Sequence, residues 1–218
     1  EILNKAVSAG YAKSVTVGAL SGFTVPVVKE EVDDFRYLSL MAQRYSVSFF
    51  AVAGELIFDN VVGNSSPIIS FTVGTGLIDF QKRLSLQGQV GEVEIWGRDV
   101  NQKFIKGTAT SVSIGGAGKS AVDIAGKFRQ AVLREYSEYV RTEKECMDLA
   151  QARLDSLALN FVSGSGTCVG IPELIPGRYI AIKGLDDDTE GSYFLTKVRH
   201  CFVGAGYYTE FEVKGAKA

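Results

Sequence analysis

Glycine falls at strand-length intervals through the middle of the chain, and this spacing constrains the fold more than any other feature. Between Pro67 and Ile114 it stands at Gly74, Gly76, Gly88, Gly91, Gly97 and Gly107. The stretches between, residues 68–73, 77–87, 91–97 and 103–114, are rich in β-branched and aromatic side chains. Such residues fit a pleated surface, and the glycines mark its turns. The last 50 residues repeat the pattern as a meander. Ile175-Pro176-Gly177 opens a strand over 178–184, a polar loop at 186–191 leads to one over 192–202, and Gly204-Ala205-Gly206 leads to the last, 207–213. That last strand alternates, with Tyr207, Thr209, Phe211 and Val213 on one face and Tyr208, Glu210, Glu212 and Lys214 on the other.

One long helix interrupts these strands. Thr142-Glu143-Lys144-Glu145 has the form of a capping box, threonine at the N-cap and glutamate three residues on. Cys146, Leu149, Ala150, Leu154, Leu157, Ala158 and Phe161 follow in three- and four-residue steps, so the helix over 142–160 carries one apolar stripe. Residues 132–140 read as another strand. Residues 115–131, small and glycine-rich, read as a mobile loop.

The N-terminal third is different. Ile2, Leu3, Ala6, Val7 and Tyr11 predict a helix over 1–13, followed by β-branched stretches at 15–20 and 23–28. Asp33 and Asp34 stand where an N-cap belongs, ahead of Phe35, Leu38, Ala42 and Tyr45 on one helix face. Residues 47–52 and 56–58 make a hairpin about Ala53-Gly54-Glu55. The segment 63–67 reads as a boundary. The fold class is therefore α+β: a small α/β domain over 1–64, then a mostly antiparallel β-barrel over 67–218 with one inserted amphipathic helix. Many short strands that close their own edges favour a barrel or sandwich.

Composition excludes several functions. Of 218 residues, 23 are Lys or Arg and 25 are Asp or Glu, so the formal net charge is −2. That balance lacks the field of a non-specific nucleic-acid binder. No apolar run reaches the roughly 18 residues a membrane-spanning helix requires. The single histidine, His200, nearly excludes histidine-rich metal sites. Cys146, Cys168 and Cys201 fit no zinc or redox spacing and read as three buried thiols.

Five groups of residues resemble chemical sites, and each has a plainer reading. Gly115-Gly116-Ala117-Gly118-Lys119-Ser120 resembles the end of a phosphate-binding loop, but Ser113 stands where the first glycine belongs and the following helix is weak. Asp186-Asp187-Asp188-Thr189-Glu190-Gly191 opens like a calcium loop, but Lys197 replaces the bidentate glutamate, so a solvated turn is favoured. His200 beside Cys201 invites a nucleophile and base, but neighbours on a strand point to opposite faces. His200 shares an alternating face with Ser192, Phe194, Thr196 and Val198, and a structural role with bonded ring nitrogens is expected. The acidic pairs Glu30-Glu31 and Asp33-Asp34 serve a helix start. Trp96 with Arg98 reads as a core or interface anchor. No catalytic, cofactor or metal residue is assigned, and no cofactor is expected.

Three motifs resemble those of phage tail hub proteins, the late control gene D family and the related hub part of type VI secretion VgrG proteins. The first is Asp34-Phe35-Arg36-Tyr37-Leu38, then Met41-Ala42-Gln43-Arg44-Tyr45 and the hairpin from Phe49 to Phe58, with Ser46 where that family often has glycine. The second is Val93-Glu94-Ile95-Trp96-Gly97-Arg98-Asp99. The third and most specific covers Gly170-Ile171-Pro172 to Pro176-Gly177, Gly191-Ser192-Tyr193 to His200, and Gly206-Tyr207-Tyr208-Thr209-Glu210-Phe211. The resemblance implies a structural, non-enzymatic protein of a contractile tail or injection device, whether phage tail, tailocin or type VI-like. Such a hub is a homotrimer at the virion tail baseplate, joining the tail tube or tube-initiator protein to a central spike protein. The resemblance also implies an upstream barrel that precedes Glu1 and is missing here. The alternative is a carbohydrate or cell-wall binding module that uses Tyr207 and Tyr208 as a stacking platform. A hydrolase built on His200 is a third reading.

Overall fold

The computed structural model describes residues 2–18, 29, 31–59, 66–115, 118–125, 131–185, 189–204 and 206–218. In chain order the elements are α1 (Ile2–Ser8), β1 (Ser14–Val17), α2 (Asp34–Tyr45), β2 (Ser48–Val52), β3 (Glu55–Asp59), β4 (Pro67–Val73), β5 (Gly76–Leu84), β6 (Glu92–Arg98), β7 (Phe104–Ala109), α3 (Ala121–Ala125), β8 (Val132–Tyr136), α4 (Glu143–Ala158), β9 (Val162–Val169), β10 (Tyr179–Lys183), β11 (Gly191–Val203) and β12 (Gly206–Gly215). The chain forms two units, each assembled from three stretches. One takes Glu1–Val61, Val93–Ala109 and Leu133–Arg153; the other takes Val62–Glu92, Thr110–Val132 and Leu154–Ala218. The boundary expected at 63–67 and the β-branched stretch at 23–28 fall mostly or wholly outside the described residues.

The first unit holds two three-stranded sheets, ordered β1-β3-β2 and β7-β6-β8. In the first sheet β1 runs parallel to β3, and β2 pairs antiparallel with β3 about Ala53-Gly54. Both turn residues have positive φ, +52° and +86°, the backbone of a tight hairpin turn that matches strand twist. α1 is shorter than the helix expected over 1–13. Gly10 adopts φ +77°, its N–H reaches the Val7 carbonyl, and the Tyr11 N–H reaches that of Ala6. This left-handed glycine stop ends the helix and leaves Tyr11 87% exposed.

α2 starts as its sequence indicates. The Asp33 carboxylate accepts the Arg36 N–H at 2.8 Å, satisfying one of the free donors of the first turn. The helix buries Met41, Ala42 and Tyr45 against Leu3 and Phe58. Phe35 is on the expected face but in the first turn, where its ring meets that of Phe49, and it stays 70% exposed.

β6 and β7 pair antiparallel, and α4 packs on the face that carries Val93, Ile95 and Ala109. Gly107 permits this approach: a Cβ there would lie 2.1 Å from the Met147 backbone nitrogen. α4 opens with a complete capping box. Thr142 Oγ1 accepts the Glu145 N–H at 3.2 Å, and the Glu145 carboxylate accepts the Thr142 N–H at 3.2 Å and that of Arg141 at 2.5 Å. β8 ends at Tyr136, short of the strand expected to 140, because Ser137–Val140 turn back beneath Gly97.

The second unit is a closed barrel, ordered β10-β11-β12-β9-β5-β4. Four of its pairings are antiparallel, while β4 runs parallel to both β10 and β5. Closure leaves no edge strand within the barrel. Six strands enclose a space that side chains fill: Phe71, Ile180, Ile182, Tyr193, Leu195, Phe211 and Val213 are buried there. Each such residue contributes roughly 1.5–3 kcal/mol of apolar burial. Phe211 stacks on Phe71 with centroids 6.0 Å apart, and Gly166 of β9 leaves room for its ring tip, which would lie 2.8 Å from a Cβ. Gly164 and Gly166 therefore stand inside β9, past the end of α4.

The segment expected as a mobile loop, 115–131, contains α3. Ser120 and Asp123 cap it reciprocally: Asp123 accepts the Ser120 N–H at 2.8 Å and hydroxyl at 2.7 Å, and Ser120 Oγ accepts the Asp123 N–H at 3.3 Å. Lys119 and Ala218 exchange two backbone hydrogen bonds, of 2.7 and 3.0 Å. Residues 116–117 and 126–130 lie outside the described ones.

Candidate functional site

The end of the β11–β12 hairpin gathers the residues that most resemble chemistry. Leu195 pairs with Val213, but Lys197 pairs with Glu212, so Thr196 is an extra residue in β11. A bulge of this kind exchanges the two faces of a strand. Before it, Tyr193 and Leu195 face the core; after it, Val198 does. The expected face of Ser192, Phe194, Thr196, Val198 and His200 is thus broken, and Val198, His200 and Phe202 stand opposite Phe211, Thr209 and Tyr207.

His200 is fully engaged there. The Tyr207 hydroxyl lies 2.8 Å from Nδ1, Thr209 Oγ1 lies 3.3 Å from it, and Nε2 lies 3.1 Å from the Leu174 carbonyl oxygen. This network assigns the proton to Nε2, which donates to Leu174, and leaves Nδ1 to accept from Tyr207. Thr209 Oγ1 accepts the Ile171 N–H at 3.3 Å, tying the loop ahead of β10 to the hairpin. Cys201 pairs with Tyr208 on the opposite face, so histidine and thiol do not meet.

Beyond His200 the hairpin end is apolar and open. Phe202 is 77% exposed and stacks on Tyr207 with centroids 4.4 Å apart and planes 10° apart. Tyr207 and Tyr208 point to opposite faces of β12, so they do not form one platform, and one face of the Tyr207 ring is already covered.

A second exposed surface is the face of β7-β6-β8 away from α4. Trp96 is partly exposed there rather than in the core. Lys106 Nζ lies 5.4 Å from the centre of its ring, and the Arg98 guanidinium lies 4.4 Å from that of Phe104. Glu94 is buried among them. It accepts from Arg134 at 2.8 Å and Trp96 at 3.3 Å, and Lys106 lies 3.4 Å away. Burial alone would push its carboxyl up; these bonds and charges outweigh it and hold the group below its ordinary range. Arg98 thus stacks on Phe104.

The remaining candidates serve structure. Ser120 is occupied by Asp123, and Gly118 lies against Ala218, where a Cβ would meet the carbonyl oxygen at 2.8 Å. Asp186–Asp188 lie outside the described residues, while Glu190 of the same stretch accepts the Gly184 N–H at 2.6 Å. Asp34 pairs with Lys29, and Asp33 caps α2. Among the described residues, no three His, Cys, Asp or Glu side chains are grouped to hold a metal, and no helix is long and apolar enough to cross a membrane. Cys146 and Cys168 are buried, and burial pushes both thiols up to about 11; Cys201 is half-buried, so only two of the three thiols are enclosed.

This fold is similar to that of solved tail proteins. A tail protein from Neisseria meningitidis matches over 98% of this chain and 66% of its own, with a TM-score of 0.67 and 12% identity. The 43 kDa tail protein of prophage MuSo2 from Shewanella oneidensis matches over 97% and 64%, with a TM-score of 0.66 and 14% identity. A chain of the virion of a native gene transfer agent particle matches over 97% and 46%, with a TM-score of 0.55 and 11% identity. The chain thus spans less than two thirds of each of these structures. No curated protein sequence matches it. A family profile matches residues 4–203, nearly the whole chain, and by that match the chain belongs to the family described as the Alg8 N-terminal domain.

Proposed function

We propose that this chain is a structural component of a phage-type tail, and that it takes the place of a baseplate hub. The observation that carries the reading is that its closed barrel and its α/β unit together align with the Neisseria meningitidis tail protein over 98% of the chain. The hub assignment adds the late control gene D and VgrG resemblance of the motifs around Asp34, Trp96 and Gly191. In this reading the whole protein is a homotrimer, receives the tail tube above and holds a spike below, and has no catalytic task. A cyclic trimer closes through a heterologous interface, two different and complementary patches on each subunit, and needs no pocket. The open end of the β11–β12 hairpin, with Phe202 and Val203 exposed, offers one apolar patch for such a contact.

Native mass measurement of the full-length protein across a concentration series tests the hub assignment. A trimer is expected. A stable dimer that forms no trimer even with its spike protein would contradict it.

A further inference from the structure

A cavity of about 390 Å³ opens in the first unit among α2, β6, the end of β8 and α4. Two arginines line it. Arg153 is already neutralised: its Nε and Nη2 donate to the same oxygen of Glu135, at 3.2 and 2.9 Å. Arg44 is not. Its guanidinium lies 3.6 Å from the centre of the Tyr139 ring, and it has no carboxylate partner among the described residues. Its Nη1 donates weakly to the Met41 sulfur at 3.8 Å. A guanidinium held 3.6 Å over a ring centre still carries N–H donors along its edge, and that fork grips a carboxylate with two parallel bonds. Gln43 and Ser137 add polar groups to the wall, and Ile95 and Leu149 give it an apolar floor.

We propose that this cleft is a carboxylate-binding site, with Arg44 as the anion-holding residue and the Ile95–Leu149 floor taking an apolar body beside the acid. The volume is at the lower end for small-molecule sites, so the occupant is a small organic acid or one acidic side chain of a peptide. A cavity of about 270 Å³ on the barrel wall differs, because its cations Lys197 and Arg199 are already paired with Glu212 and Glu210. The proposal is independent of the tail assignment.

The test is titration of the unaltered protein with benzoate and with benzamide, followed by chemical shifts of Tyr139 and Ser137. Benzoate binds at least about tenfold more tightly than benzamide, the difference a charged hydrogen-bond pair supplies. Arg44→Gln abolishes that preference, and Arg44→Lys retains part of it. Two tripeptides, acetyl-Leu-Glu-Leu-amide and acetyl-Leu-Gln-Leu-amide, then separate the sources. Tighter binding of the glutamate peptide than of benzoate assigns the site to a protein partner, and the reverse assigns it to a free acid. No shift with either carboxylate up to about 20 mM, a concentration that detects even a millimolar Kd, equal binding of benzamide, or an unchanged preference in Arg44→Gln would overturn the proposal.

Discussion

The Tyr207 hydroxyl donates to Nδ1 of His200 across the β11–β12 pair, at 2.8 Å. The two residues come from different strands, and the bulge at Thr196 sets the register that brings them to one face. The only histidine of the chain is therefore a clasp between the hairpin and the Leu174 loop. His200→Gln is expected to destabilise the protein by about 0.5–1.5 kcal/mol, the worth of an ordinary hydrogen bond at a partly open site. Tyr207→Phe should cost a similar amount, and the double variant less than the sum. Urea unfolding of the three variants measures this. Strict additivity would mean that the two side chains do not act together.

Ser46 ends α2 with φ +53°, a left-handed conformation that glycine adopts without penalty. Ser46→Gly should stabilise the first unit by about 1 kcal/mol, a rise of roughly 2–4 °C in melting temperature for a chain of this size. Thermal unfolding followed by circular dichroism checks it. A fall in melting temperature would show that the serine side chain contributes more than the strain it carries.

Gly107 is where α4 meets β7. A methyl group at that position would overlap the backbone of Cys146 and Met147, which cannot move independently of the helix. Gly107→Ala is expected to cost about 3 kcal/mol, at the upper end for an overpacked core. Gly204→Ala is the control, since open space surrounds that position and its change should be nearly neutral. Equal effects of the two substitutions would contradict the packing described for α4.

Cys146 and Cys168 are enclosed, with thiols pushed up to about 11, so at pH 8 very little of either is thiolate. An aromatic disulfide reagent added to the native protein at pH 8 should react quickly with one thiol, Cys201. The other two should react only on unfolding in guanidinium. Raising the pH toward 11 increases the thiolate fraction at the buried pair, so any native reaction there should speed up in that direction. Rapid reaction of three thiols at pH 8 would contradict the burial of both.

Much of this fold is legible in the sequence where one local rule decides. The Thr142–Glu145 capping box, the Asp33 cap, the Ala53-Gly54 turn and the alternation of Thr209, Phe211 and Val213 each follow from a few adjacent residues. The failures occur where distant residues decide. Nothing near Thr196 announces a bulge, because the extra residue is defined only by the pairing of β11 with β12. That β9 needs glycine at 164 and 166 is set by Phe80 and Phe211 of neighbouring strands, which leave no room for a Cβ there. Phe35 follows the helical period, yet in the first turn it stays largely exposed. The Arg44 cleft has no signal in the sequence, since Arg44, Tyr139 and Arg153 come together only in the folded unit.

The tail role proposed for this chain is tested most directly by immunogold electron microscopy of particles from cells that produce the full-length protein, with an antibody raised against this chain. Label is expected on tail-like particles, confined to the baseplate end. Label absent from such particles, with all of the protein recovered free of them, would contradict that role.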